Sequence, residues 1–242
     1  MQLILQSMMA GLATFLGAII VLLFQRPGDI MLAALLGLSG GLMLGVVIQD
    51  LIPSAIAAGS YFTTGVGIMA GGLMLNLINA LLDRALPLRR IGRSERRLAS
   101  MGYMIATAIA MHDLPEGMSI AVGHAAAPEI GIIITLALAL HNIPEGMATA
   151  APLHMAGIKP KKVLILTLFI SFVTPLGTLI GMSMVAASRV LISPLLSLAA
   201  GSMAYIVFSE IVPEAFRRRA SFAFAGLLIG FILIYFVNNL QM

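Results

Sequence analysis

Two short segments of the sequence carry the residue types best suited to binding a metal ion. The first reads His-Asp-Leu-Pro-Glu-Gly from His112, and the second reads His-Asn-Ile-Pro-Glu-Gly from His141. On an α-helix, positions i, i+1 and i+4 lie within about 100° of one another, so each segment turns three polar groups toward one point. The predicted ligands are His112, Asp113, Glu116, His141, Asn142 and Glu145.

The surroundings of these segments indicate which ion they bind. Both lie in long apolar stretches without Lys or Arg, where an ionised carboxylate is costly unless it has a partner. Three carboxylates therefore require a cation or protons. Imidazole nitrogens combined with carboxylate and amide oxygens suit Zn²⁺, Fe²⁺, Mn²⁺, Co²⁺ or Cd²⁺ better than Ca²⁺ or Mg²⁺. The chain contains no cysteine, which excludes thiolate ligands.

The composition predicts that membrane-spanning helices position these ligands. Of the 242 residues, 60% are hydrophobic and 10% are charged, whereas a soluble domain is about a quarter charged. We therefore expect an all-α membrane protein, with residues 1–242 forming a single transmembrane domain in the lipid bilayer. A span needs roughly 20 apolar residues, and the apolar runs predict eight spans near 3–24, 30–51, 62–83, 101–124, 130–153, 163–187, 191–213 and 221–239.

The basic residues predict the orientation of these spans. Of the 14 Lys and Arg residues, 13 fall in the odd-numbered connections and only Arg189 in an even one. Basic residues collect on the cytoplasmic side, so both termini are predicted to lie outside, and the connection 84–99 to be a cytoplasmic loop. The net charge of +4 is thereby explained by topology, and no nucleic-acid partner is predicted.

Two internal repeats relate spans of opposite direction. An offset of 160 aligns Asp50 with Glu210 and Pro53 with Pro213, and an offset of 29 superposes the two His-x-x-x-Glu segments. Inverted repeats are typical of transporters, whose substrate sites lie near the membrane midplane. Polar residues near the span ends are either entry and exit stations for a cation or ordinary interfacial residues; these are Asp50, His124, His154, Glu210 and Glu214.

The two motifs, with eight spans and outside termini, resemble the ZIP (Zrt/Irt-like protein) divalent metal transporters, especially the bacterial members. The resemblance covers the whole chain. It implies that the six motif residues line the transport site, and that Met43 in Gly40-Gly-Leu-Met-Leu44 adds a ligand. It also implies a 3+2+3 arrangement of spans in which one bundle moves against a scaffold, a homodimer, and a multi-pass protein of the cell (inner) membrane.

The sequence departs from that family's pattern twice. Threonine stands at position 174, before Pro175, where many bacterial members carry a glutamate that helps to hold a second metal. Asp113 replaces the commoner asparagine and adds a charge that partly compensates. We therefore predict one tightly bound metal in each chain.

The same residues are compatible with three alternative functions. The first is import of a divalent metal, above all zinc, by alternating access. The second is a metal-selective channel, since the same ligands could line a pore. The third is an intramembrane metallohydrolase, in which a metal activates water, but the sequence has no H-E-x-x-H motif. We expect a transporter without enzymatic activity or resident cofactor, driven without ATP, since no phosphate-binding G-x-x-x-x-G-K-[ST] loop occurs.

Overall fold

The structure is a computed structural model that describes residues 2–23, 28–85, 93–126, 128–187 and 192–239. Within these ranges all regular structure is helical, which confirms the all-α prediction. The helices are α1 (Gln2–Leu23), α2 (Asp29–Val46), α3 (Ile52–Ala58), α4 (Tyr61–Ala85), α5 (Arg93–Ala126), α6 (Pro128–Met155), α7 (Pro160–Ser171), α8 (Val173–Ala187), α9 (Ile192–Ile206) and α10 (Val212–Asn239).

Five helical segments of the described chain are long and apolar enough to cross a membrane. They are Gln2–Leu23, Asp29–Ala58, Tyr61–Ile78, Pro160–Ser183 and Ile192–Phe236. Their number supports a multi-pass membrane protein. The eight-span arrangement and the side on which each terminus lies remain predictions.

Two stretches of π-helix lie at equivalent places of the longer repeat. Val47–Leu51 joins α2 to α3, and Val207–Ile211 joins α9 to α10, again at an offset of 160. Each stretch contains the acid of its repeat, Asp50 or Glu210, and is followed by a proline. The helix of the second predicted span therefore continues beyond residue 51, to Ala58.

The helices extend past several of the predicted span boundaries, because hydropathy detects only the apolar part of a helix. α4 ends at Ala85 and α5 begins at Arg93, so much of the predicted loop 84–99 is helical. The residues from Arg93 to Leu98 are mostly Arg, Glu and Leu, which are strong helix formers. The connection between the two helices, residues 86–92, lies outside the described residues.

Three other predicted spans do not each correspond to one separate helix. The predicted sixth span is broken at Phe172 into α7 and α8, because Pro175 has no N–H to bond to the carbonyl of Ser171. The predicted seventh and eighth spans are joined, with a single departure from helical geometry at Arg219 (φ −154°, ψ 93°).

The helices pack as two bundles. We call α1, α5, α6, α7 and α8 the site bundle, because it contains both His-x-x-x-Glu motifs, and α2, α3, α4, α9 and α10 the flanking bundle. The most extensive helix pairs are α2 with α10 and α4 with α9 in the flanking bundle, and α1 with α6, α5 with α6 and α5 with α8 in the site bundle. Contacts between the bundles are smaller and run mainly from α9 to α5 and from α2 to α6.

Glycines bring helices together within each bundle. A Cβ added to Gly17 would lie 2.0 Å from the Ile143 carbonyl oxygen, and one added to Gly41 would lie 2.1 Å from that of Leu227. Small residues let helix backbones approach closely in a bilayer. The close contacts described between a glycine and another helix all join helices of the same bundle. The glycine contacts that the structure describes therefore do not join the two bundles to each other.

Candidate metal site

The two motifs meet where α5 and α6 pack together, and they pair reciprocally. His112 Nε2 on α5 lies 3.3 Å from Glu145 Oε2 on α6, and His141 Nε2 on α6 lies 3.2 Å from Glu116 Oε2 on α5. Each histidine thus pairs with the glutamate of the other repeat. All four side chains are buried, with at most 3% of each residue exposed.

Asp113 extends this cluster toward α8. Its Oδ1 lies 3.6 Å from His112 Nε2, and its Oδ2 accepts a long hydrogen bond of 3.5 Å from Thr174 Oγ1. One potential ligand atom from each of His112, Asp113 and Glu116 lies within 4.8 Å of the other two. A single ion can therefore be reached from all three residues after small side-chain movements.

Asn142 is oriented by α1. Its Nδ2 donates to the Ala10 carbonyl oxygen at 3.0 Å, so the amide oxygen is left as the group available to a cation. That oxygen is buried and has no hydrogen-bond partner among the described residues.

Other buried polar atoms of the site also lack a hydrogen-bond partner. In the described part of the chain, buried atoms without a hydrogen-bond partner include His112 Nδ1, Asp113 Oδ1, Glu116 Oε1 and His141 Nδ1. Leaving a buried polar atom unpaired is unfavourable, and carboxylates gathered in one apolar place repel each other. A bound divalent cation relieves the repulsion and gives the carboxylate oxygens a partner, so these residues fit a transition metal chemically.

The glycines that end the motifs have a packing role that the ligand prediction missed. A Cβ on Gly117 would lie 2.0 Å from the Thr174 carbonyl oxygen, and one on Gly146 would lie 1.9 Å from that of Thr14. Gly117 thus allows α5 to pack closely against α8, and Gly146 allows α6 to pack closely against α1. The signal was present in the sequence, since a glycine follows the glutamate in both motifs.

The remaining predicted residues lie outside this cluster or are occupied by other partners. Met43 is fully buried in α2 and belongs to the hydrophobic core; its role as a ligand remains a prediction. Glu214 accepts hydrogen bonds from Arg217 and Arg218, so its charge is balanced without a metal. Asp50 and Glu210 lie in the π-helical stretches, and His124 and His154 are half-buried.

Fold and site together define a helical membrane protein with a buried histidine and carboxylate site. The chain belongs to the ZIP zinc transporter family, whose family model matches residues 89–238. It is 34% identical to "Zinc transporter ZupT" of Chlorobium luteolum over 94% of this chain and 93% of that protein. It is 29% identical to "Zinc transporter GufA" of Myxococcus xanthus over 94% of each.

Proposed function

We propose that this protein imports divalent transition metal, above all zinc, into the cytoplasm by alternating access through the α5 and α6 site. The observation that carries the proposal is the reciprocal pairing of His112 with Glu145 and of His141 with Glu116 in a fully buried place. The relatives named zinc transporters, which match nearly the whole chain, support the same substrate. The protein is a transporter and not an enzyme.

The site binds its substrate by exchanging hydrogen bonds for metal bonds. The proposed nitrogen and oxygen donors are those of His112, Asp113, Glu116, His141, Asn142 and Glu145. Donor atoms of His112, Asp113 and Glu116 lie within 4.8 Å of one another. Zinc takes such donors at about 2.0–2.2 Å. A membrane potential contributes about 2.3 kcal/mol per charge per 100 mV, which favours inward movement of a dication without ATP.

We infer that the site bundle moves against the flanking bundle during transport. The described glycine contacts lie within each bundle, and the contacts between the bundles are smaller than those inside them. Eight spans in a 3+2+3 arrangement, a homodimer and a location in the inner cell membrane complete the proposal. Met43, on α2, supplies a ligand from the flanking bundle.

Counterflow in liposomes tests alternating access directly. Purified protein is reconstituted, the vesicles are loaded with unlabelled zinc, and entry of labelled zinc is followed. A carrier gives saturable uptake that internal zinc accelerates, whereas a pore gives uptake without such acceleration. The absence of zinc uptake altogether would refute the proposed function.

The orientation of the chain has its own test. The chain has no cysteine, so one introduced at Ser94 or at Ser60 is the sole thiol, and both positions are exposed. We expect a membrane-impermeant maleimide to label Ser94→Cys only from the cytoplasmic side and Ser60→Cys only from outside, because the basic connections face the cytoplasm. The opposite pattern would reverse the topology and the inferred direction of import.

Thr174 is predicted to limit the site to one tightly bound metal. Its hydroxyl is neutral and already contacts Asp113, whereas two dications a few ångströms apart repel strongly unless carboxylates lie between them. We expect Thr174→Glu to add a second metal and to change the affinity of the first. Native mass spectrometry counts the ions, with Thr174→Val as the matched variant that adds no charge.

Two tightly bound ions in each wild-type chain would show that the threonine does not limit occupancy. In that case Asp113 would be supplying the charge that Thr174 lacks.

A further inference from the structure

A second group of charges, separate from the metal site, lies at the start of α10. Glu214 is 1% exposed, and its carboxylate is shared by arginines of the same helix. Arg217 Nη2 lies 2.7 Å from Glu214 Oε1 and Arg218 Nε lies 2.8 Å from it. Arg218 also pairs with Asp29 at the start of α2. All of these pairs stay within the flanking bundle.

A further arginine reaches Glu214 from the other bundle. Arg97, in the first turns of α5, places Nε 3.4 Å from Glu214 Oε2. This ion pair therefore joins the site bundle to the flanking bundle across an interface that none of the described close glycine contacts crosses. Arg97 is the more accessible partner, with 57% of its side chain exposed, against 2% for Glu214.

We propose that the Arg97 and Glu214 ion pair is a reversible lock between the two bundles at their arginine-bearing ends, closed in the conformation described. This inference rests on the proposed movement of the bundles. In this conformation the ligands are buried. Opening the lock moves Arg97 into solvent and leaves Glu214 with Arg217 and Arg218.

The arrangement of charges makes such a lock easy to open. Removing one partner of a buried ion pair is strongly unfavourable when the other charge is left alone. Here Glu214 keeps two arginine partners after Arg97 departs, so no buried charge is left unpaired. The contribution of Arg97 itself is that of a partly exposed ion pair, which is weak and sensitive to salt.

Thiol labelling at Ala99 measures the opening. Ala99 is fully buried and lies two residues from Arg97 on α5, and Ala99→Cys is the sole thiol of the chain. In the full chain in detergent, we expect Arg97→Gln to speed maleimide labelling of that cysteine by about two- to fivefold, the range for a partly exposed pair. Arg97→Lys retains the charge and stays closer to the parent rate.

Arg96→Gln is the matched control. Arg96 is the adjacent arginine of α5, is exposed, and forms no ion pair with the residues that the structure describes. Its loss changes the net charge equally and is expected to leave the labelling rate unchanged. Equal rates in Arg97→Gln and Arg96→Gln would overturn the lock.

Salt provides a second measurement that does not depend on how a variant folds. Raising the salt concentration from about 0.05 to 0.5 M screens an exposed ion pair, so labelling of Ala99→Cys in the otherwise unchanged chain should accelerate. The acceleration should vanish in Arg97→Gln, and its persistence there would contradict the proposal. Both measurements work without metal, so a failure of zinc uptake would refute the proposed function and leave this test intact.

Discussion

Alanine at any one of His112, Glu116, His141 and Glu145 is expected to abolish saturable zinc uptake in liposomes. Each substitution removes a donor and also leaves its partner on the other helix buried without a hydrogen bond, as Glu145 is left when His112 is lost. Partners that merely orient metal ligands are worth about 10- to 100-fold in affinity, so loss of a ligand should lower uptake by about a hundredfold or more.

Folding must be separated from binding in these variants. Glu116→Gln and Glu145→Gln keep the shape of the side chain and remove only the charge, and gel filtration with thermal melting reports whether the protein is intact. Thr107→Ala is a suitable control on α5, because among the described residues its hydroxyl donates to the Tyr103 carbonyl of the same helix. Wild-type uptake by all four folded alanine variants would refute the assignment of the site.

Alanine at Gly146 or Gly117 is expected to destabilise the site bundle by about 1–3 kcal/mol, the usual cost of overpacking. At Gly146 the new methyl group would lie 1.9 Å from the Thr14 carbonyl oxygen, and at Gly117 it would lie 2.0 Å from that of Thr174. A backbone oxygen cannot rotate away, so α1 or α8 must shift and the ligands on α5 and α6 shift with it.

Gly65 offers a control of the opposite sign. It lies inside α4, and a Cβ there meets nothing within 4 Å. Gly65→Ala should therefore be neutral or stabilising by up to about 1 kcal/mol, because alanine is the better helix former. Thermal unfolding in detergent measures all three variants. If Gly146→Ala and Gly117→Ala unfolded at the same temperature as Gly65→Ala, the close helix contacts would not contribute to the stability of the site bundle.

The ligand set could be predicted from the sequence because its signal is local. The spacing from His112 to Glu116, and from His141 to Glu145, puts each pair on one helical face, and the offset of 29 relates the two helices. Spacing cannot tell which histidine pairs with which glutamate, since that depends on how α5 and α6 cross. The orientation of Asn142 by the Ala10 carbonyl likewise joins residues far apart in the chain.

Hydrophobicity predicted the helical, membrane-spanning character of the chain. It did not predict the helix ends that lie in polar segments or the ion pairs between helices. The start of α5 at Arg93 follows from helix propensity in a polar segment, to which hydropathy is insensitive. The helical continuation through the π stretch to Ala58 passes Asp50 and Pro53, a charged residue and a proline at which a prediction based on apolar runs ends a span. The sharing of Glu214 by arginines of two helices has no signature in the spacing of charges.

The confinement of close glycine contacts to the interior of each bundle bears on how the protein unfolds. Groups of helices that are densely packed together tend to open as cooperative units, and a ligand that binds the native state protects the unit that holds its site. Zinc at 100 times its dissociation constant would add about 2.7 kcal/mol to that unit. The site bundle and the flanking bundle are thus expected to lose structure at separate temperatures once zinc is present, although they belong to one chain.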